Sequence, residues 1–237
     1  MLSFIIIIVL SYLLGSVPTS VWVGKVFKGV DIREHGSGNA GATNTFRILG
    51  WKAGTIVSLI DLAKGFTAAY FISQLGYITG AVPQEVPVTI GIWSGIWETD
   101  VFMRLIAGGA AVGGHMYPLY ARFKGGKGVI TAAGMLYGIE PISISLAIGV
   151  FVIILFASRY VSLASIIATF SYPLFLLMLK YGFSFPIDGS LIIISAIVAG
   201  GIIVKHHTNI RRLIEGNENR IRSFKPAKGR LNQEEKA

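Results

Sequence analysis

Residues 1–25 read MLSFIIIIVLSYLLGSVPTSVWVGK. The stretch has the apolar look of a secretory signal peptide. It lacks a basic n-region, however, and its apolar run outlasts a typical h-region. No charge appears before Lys25, and a bilayer crossing takes roughly 20 apolar residues. Residues 2–23 are therefore read as a first membrane span.

The rest of the chain repeats this pattern. Of 237 residues, 53% are hydrophobic and only 14% are charged, against about 25% charged in an ordinary soluble domain. A second span is expected at 52–75, with Asp61 and Lys64 one helical turn apart and able to pair as a structural ion pair. A third is expected at 101–119, where GGAAVGG at 108–114 permits close helix packing. Residues 129–157 are too long for one straight span. Glu140-Pro141 breaks them into two short helices. Residues 161–181 and 191–204 complete the set. The expectation is an all-α, polytopic bundle of about seven spans forming one domain over 1–237, with a polar segment from about 205. In the connection 76–100, Trp93 and Trp97 are one turn apart, which suits an interfacial helix.

Lys and Arg set the orientation. With seven spans, Lys25, Lys28, Arg33, Arg47, Lys52, Arg122, Lys124, Lys127, Arg159 and the whole tail fall on one side. Little beyond Arg104 and Lys180 falls on the other. The rich side is read as cytoplasmic, with the N-terminus outside and the C-terminus inside. A five-span count with two re-entrant stretches keeps that orientation. The net charge of +9 follows from this rule and from attraction to anionic membrane lipids. No nucleic-acid module accompanies it. The absence of cysteine excludes disulfides, thiol nucleophiles and thiolate metal sites.

Three polar clusters reach the basic face. The first is HGSGNAGATNTFR, residues 35–47. Gly38 and Gly41 let the backbone turn and approach a ligand, and successive N–H groups there form an anion-binding nest. Ser37, Asn39, Thr43 and Asn44 add neutral donors, and Arg47 adds a fork suited to phosphate. The second is GHMYPLYARFKGGKG, residues 114–128. Its GGKG is not a Walker A motif, because Ala121 and Gly128 depart from that pattern. Flexible N–H groups beside Lys127 still suit a phosphate. A positive-inside boundary with glycines is the competing reading. His115 is read as structural. The third is KHHTNIRRLIEGNENR, residues 205–220. On a helix His206 and Asn209 share one face, as do Asn209 and Arg212, and His206 suits a general base or oxyanion donor. No carboxylate-rich metal cluster accompanies these segments, so no metal and no cofactor is expected. An anion transporter would gather such groups near the midplane at broken helices, not at one face.

The three clusters, in order and spacing, resemble the signature motifs of the bacterial acyl-phosphate-dependent glycerol-3-phosphate acyltransferases, over nearly the whole chain. The resemblance implies a multi-pass enzyme of the bacterial cytoplasmic (inner) membrane with its site facing the cytoplasm. It would move a fatty acyl group from acyl phosphate to the 1-hydroxyl of glycerol 3-phosphate, giving lysophosphatidic acid and phosphate. No obligatory protein partner is implied. Carried over residue by residue, Ser37, Arg47, Lys127, His206 and Asn209 line the site. Gly125, Gly126 and Gly128 belong to the glycerol 3-phosphate loop, Ser165 adds a contact, and Glu218 is structural. The proton acceptor stays open among His206, Ser37 relayed by His206, and the substrate's own phosphate, with direct attack preferred over a serine acyl-enzyme. The 76–100 connection is longer than the family needs and has no expected catalytic role.

Overall fold

A computed structural model describes residues 2–78, 85–90 and 93–221. The expected tail beyond 221, and parts of the 76–100 connection, lie outside these residues.

The uniformly apolar start forms α1 (Leu2–Gly15). Pro18 has no N–H to continue the helix, and the chain restarts as α2 (Thr19–Lys28). Gly29 closes α2 at φ +68°, its N–H reaching the Gly24 and Lys25 carbonyls, and Lys25 and Lys28 complement the helix dipole there. Two helices follow, α3 (Ala42–Leu49) and α4 (Trp51–Tyr70). A 3₁₀ turn and the single turn α5 (Leu75–Ile78) end that limb.

The next segment departs from the all-α expectation. Residues Glu85–Ile90 (β1) and Trp93–Glu98 (β2) pair as an antiparallel hairpin, with Glu85 opposite Glu98 and Ile90 opposite Trp93. Trp93 and Trp97 therefore sit in a strand, not an interfacial helix. A spacing of four fits one face of a strand as well as one helical turn. The β-branched residues of EVPVTI decide for the strand.

Helices then resume with α6 (Thr99–Met116), α7 (Val129–Tyr137) and α8 (Pro141–Ser158). The break at Glu140-Pro141 stands where the sequence puts it. The Glu140 carboxylate caps α8 by accepting from the N–H groups of Ile142 at 2.9 Å and Ser143 at 2.7 Å. The last three are α9 (Val161–Leu177), α10 (Gly189–Lys205) and α11 (His207–Ile214).

Length and hydropathy alone mark fewer than seven spans. Among the described residues four stretches are long and apolar enough to cross a membrane: Leu2–Lys28, Trp51–Gln74, Pro141–Ser158 and Val161–Gly182. A fifth is added if α10 and α11, bent by 57°, count as one. The nine residues of α7 rise only about 14 Å, half a hydrocarbon core. Asp100, Arg104 and several glycines dilute α6.

Small residues let the helices touch backbone to backbone. A Cβ at Gly65 would overlap the Thr131 carbonyl, and one at Gly134 the Leu62 carbonyl, so α4 and α7 cross at contact distance. Gly15 and Gly114 do the same where α1 runs beside α6. The main core gathers Leu105, Met135, Leu176, Leu191 and Ile202, while Leu59, Ile153, Phe170 and Ile197 face outward, as lipid contact requires. The outcome for the site is directional. The ends of α2, α6 and α10 and the starts of α4, α7 and α9 meet at one end of the bundle.

Candidate active site

At that end a cavity of about 170 Å³ is lined by Ser37, Gly38, Asn39, Lys127, Lys205, Thr208 and Arg212. All three polar clusters contribute. Lys127, Lys205 and Arg212 make it cationic, which suits phosphate groups.

The first wall is a loop knotted from within. The buried Asn44 amide donates to the Ile32 and His35 carbonyls, each at 3.0 Å, and its Oδ1 accepts from the Ser37 N–H at 3.0 Å. This bends the chain so that Ser37, Gly38 and Asn39 face the cavity. Gly38 takes φ +70°, which glycine adopts without the steric cost of a Cβ. The Asn44 amide is thus engaged inside the loop and not turned to the cavity. Thr43 is exposed on α3, and Gly41 is the residue before that helix. Neither lines the cavity. A guanidinium ties this wall to the next: Arg33, clasped by Asp31 at 2.6 Å, donates to the Ala121 carbonyl at 2.9 Å.

The second wall is the 125–128 turn. Gly128 at φ +82° starts α7. Gly125 and Gly126 pack against His115, which leaves Lys127 as the residue of the turn that enters the cavity. Its ammonium donates to the Asn209 Oδ1. Burial lowers Lys127 to about 8; Glu218 opposes the shift, and the Arg212 and Arg47 guanidiniums add to it. Arg47 is therefore within electrostatic reach of Lys127, although it does not line the cavity itself.

The third wall is the break between α10 and α11. His206 sits at the bend, 3% exposed, with Nδ1 2.8 Å from the Ile202 carbonyl. A carbonyl only accepts, so that contact assigns the proton to Nδ1 and leaves Nε2 a bare acceptor in the neutral ring. Asn209 donates from Nδ2 to Glu218 Oε1 at 2.8 Å. The same oxygen accepts from the Ser162 hydroxyl at 3.1 Å, and Oε2 accepts from Arg212 Nε at 2.8 Å. Against the cost of burial, hydrogen bonds from Arg212 and Asn209 hold the Glu218 carboxyl below its ordinary range. Glu218 is the hub that fixes the third wall, in line with a structural role. Ser165, one turn further along α9, is buried away from the cavity. The serine of that helix that reaches the hub is Ser162.

Sequence reasoning passed over Lys205 and Thr208 as cavity residues, and named Arg212 only as a neighbour of Asn209. Their signal is the spacing i, i+3, i+7, which an unbroken helix would put on one face; the structure instead brings Lys205 from α10 and Thr208 and Arg212 from α11 together across the bend at His206.

Comparisons with known proteins identify the family. The family model for glycerol-3-phosphate acyltransferase matches residues 5–216. The glycerol-3-phosphate acyltransferase of Salinibacter ruber is 43% identical, over 99% of this chain and all of that one. That of Chlorobaculum tepidum is 46% identical, over 93% of this chain and 97% of that one. Among solved structures, PlsY (YgiH), an integral membrane glycerol 3-phosphate acyltransferase in its glycerol 3-phosphate form, superposes with a TM-score of 0.73 at 35% identity, covering 92% of this chain and 96% of that one. Its lysophosphatidic acid form superposes equally well, at 0.73. By full-length identity, by fold and by family model, this multi-pass membrane chain belongs to the glycerol-3-phosphate acyltransferases.

Proposed function

We propose that the protein transfers a fatty acyl group from acyl phosphate to the 1-hydroxyl of glycerol 3-phosphate, as the first acylation of phospholipid synthesis. The observation that supports this most is the cavity itself: three cations and a serine loop converge on a space of about 170 Å³ at one end of a lipid-facing bundle.

The chemistry asks little of the protein beyond placement. An acyl phosphate is a mixed anhydride with a good leaving group. The glycerol 3-phosphate oxygen attacks the acyl carbon, the carbon–oxygen bond to phosphate breaks, and inorganic phosphate departs with the bond's electrons. Lys127, with Lys205 and Arg212 beside it, holds the phosphates and offsets the charge on the departing one, and Arg47 adds to the field from outside the cavity. Asn209 aims Lys127, and correct placement supplies much of the rate. The hydroxyl proton passes to an oxygen of the substrate's own phosphate, while His206, buried behind the cavity wall, orders the third wall. Ser37 orients the substrate from the opposite wall, and Gly38 and Asn39 complete that wall. The site opens to the cytoplasm of a bacterial inner membrane, where both substrates are made. No cofactor takes part in these steps.

Purified protein given labelled glycerol 3-phosphate and palmitoyl phosphate should yield lysophosphatidic acid and phosphate, and palmitoyl-CoA should not replace the donor. Intact palmitoyl phosphate and no lysophosphatidic acid would overturn the reading. Product formed from palmitoyl-CoA alone would overturn the donor assignment and keep the family.

A further inference from the structure

Beneath the glycine turn lies a group of charges that the acyl transfer does not use. Asp61 and Lys64 stand one turn apart on α4, paired at 2.8 Å with each side chain 3% exposed. The Thr19 hydroxyl donates to the same Asp61 oxygen at 3.0 Å, and Lys64 also donates to the Val17 carbonyl. His115 completes the group, its Nδ1 3.6 Å from that oxygen. One carboxylate oxygen thus gathers the start of α2, the middle of α4 and the last turn of α6. Charges buried in a membrane bundle are costly and are kept where they serve a purpose.

The other side of His115 faces the turn that carries Lys127. The Gly126 N–H donates to the His115 carbonyl at 3.1 Å. A Cβ at Gly126 would run into Nε2 of the His115 ring, and a Cβ at Gly125 into its carbonyl. The ring therefore has Asp61 at one nitrogen and the glycine backbone at the other. Lys127 is the next residue along.

We propose that His115, oriented by Asp61, is a positioning residue: its ring is the platform on which the 125–128 turn rests, and it sets where the Lys127 ammonium stands in the cavity. His115 touches no substrate. The inference rests on the reading above only in taking Lys127 to hold a substrate phosphate.

The two glycines supply a test that a general packing defect would not mimic. Gly126→Ala collides with the ring, and Gly125→Ala with the backbone carbonyl and Pro118. Each should weaken glycerol 3-phosphate binding, read calorimetrically, by about tenfold or more, as a misplacement near 1 Å does. In a His115→Ala parent the Gly126→Ala penalty should shrink to about threefold, since two of the three nearest atoms belong to the ring and the Ala40 carbonyl at 2.9 Å is the third, while the Gly125→Ala penalty stays whole. His115→Ala alone should raise KM for glycerol 3-phosphate about tenfold and lower kcat as well, since Lys127 also offsets charge on the departing phosphate. Equal Gly126→Ala penalties in both parents, or an unchanged KM in folded His115→Ala, would overturn the proposal. If His115→Ala is not monodisperse in detergent, His115→Asn serves as the parent with the same expectations. A wild-type protein that binds glycerol 3-phosphate without turning over would count against the acyltransfer reading, and the binding comparison would still decide the role of His115.

Discussion

Asn209 turns its oxygen to Lys127 and its nitrogen to Glu218, so a single amide passes the order of the Glu218 hub to the cation of the cavity. Two predictions belong at this scale. Lys127 sits at about 8, so in the free enzyme its ammonium is present below that pH and is lost as pH rises through it. The sign is that of a phosphate anchor switched off by base: kcat/KM for glycerol 3-phosphate should fall above about pH 8, approaching tenfold per unit, while kcat, which reports the substrate-bound state, falls less. Lys127→Arg should remove that limb, because guanidinium stays charged. A limb that persists in Lys127→Arg assigns the titration to another group. For the hub, Glu218→Ala leaves Arg212, Asn209 and Ser162 without their shared acceptor. Loss of one partner of a buried ion pair costs about 3–5 kcal/mol. Arg212 keeps about a third of its side chain exposed, so water takes over part of the loss and about 2 kcal/mol is expected. Thermal unfolding in detergent measures it, and an unchanged midpoint would remove Glu218 from the structural role.

Among the elements, the crossing of α4 and α7 matters most, because α7 begins two residues after Lys127. Gly65→Val or Gly134→Val forces a side chain into an opposing carbonyl. Each should cost about 1–3 kcal/mol as overpacking and lower kcat/KM with it, since α7 carries the turn when it shifts. Gly149→Ala on α8 is the matched control. Nothing lies near its Cβ position, and alanine is the better helix former, so stability should hold or rise in the same unfolding assay. Elements like these separate what the sequence discloses from what it hides. The Glu140-Pro141 break was legible because a carboxylate beside proline is a complete local signal for a helix start. The Trp93–Trp97 strand was not, because a spacing of four satisfies both periods. The lining of the candidate cavity was legible where residue type suggests the chemistry, as with Ser37 and Lys127. It was not where only the fold brings residues together. Asn44 reads as a donor and serves as the loop's inner clasp. Lys205 and Thr208 read as boundary residues and line the cavity.

For the whole molecule, the open matter is which way the bundle sits in the membrane. The end that holds the cavity collects Lys25, Lys28, Arg47, Lys52, Arg122 and Lys124. At the far end, Arg104 donates to the Gly138 carbonyl and pairs with Asp100 at 2.8 Å, and Lys180 donates to the Ile187 carbonyl. The asymmetry is therefore sharper than a count of charges suggests. Much of the cavity end's charge is open to water and anionic lipid, whereas both far-end cations are tied into the bundle. Positive charge holds its loop on the cytoplasmic side, so the cavity end should face inward. The chain contains no cysteine, which makes single-cysteine labelling free of background. Lys124→Cys and Glu215→Cys at the cavity end, and Ser184→Cys at the far end, all replace exposed residues. An impermeant maleimide added to spheroplasts should label Ser184→Cys alone, and lysis should expose the other two. Labelling of Lys124→Cys in intact spheroplasts would invert the orientation. It would also place the phosphate cavity on the side away from the cell's pool of glycerol 3-phosphate, so the same result would count against the orientation and the proposed substrate supply together.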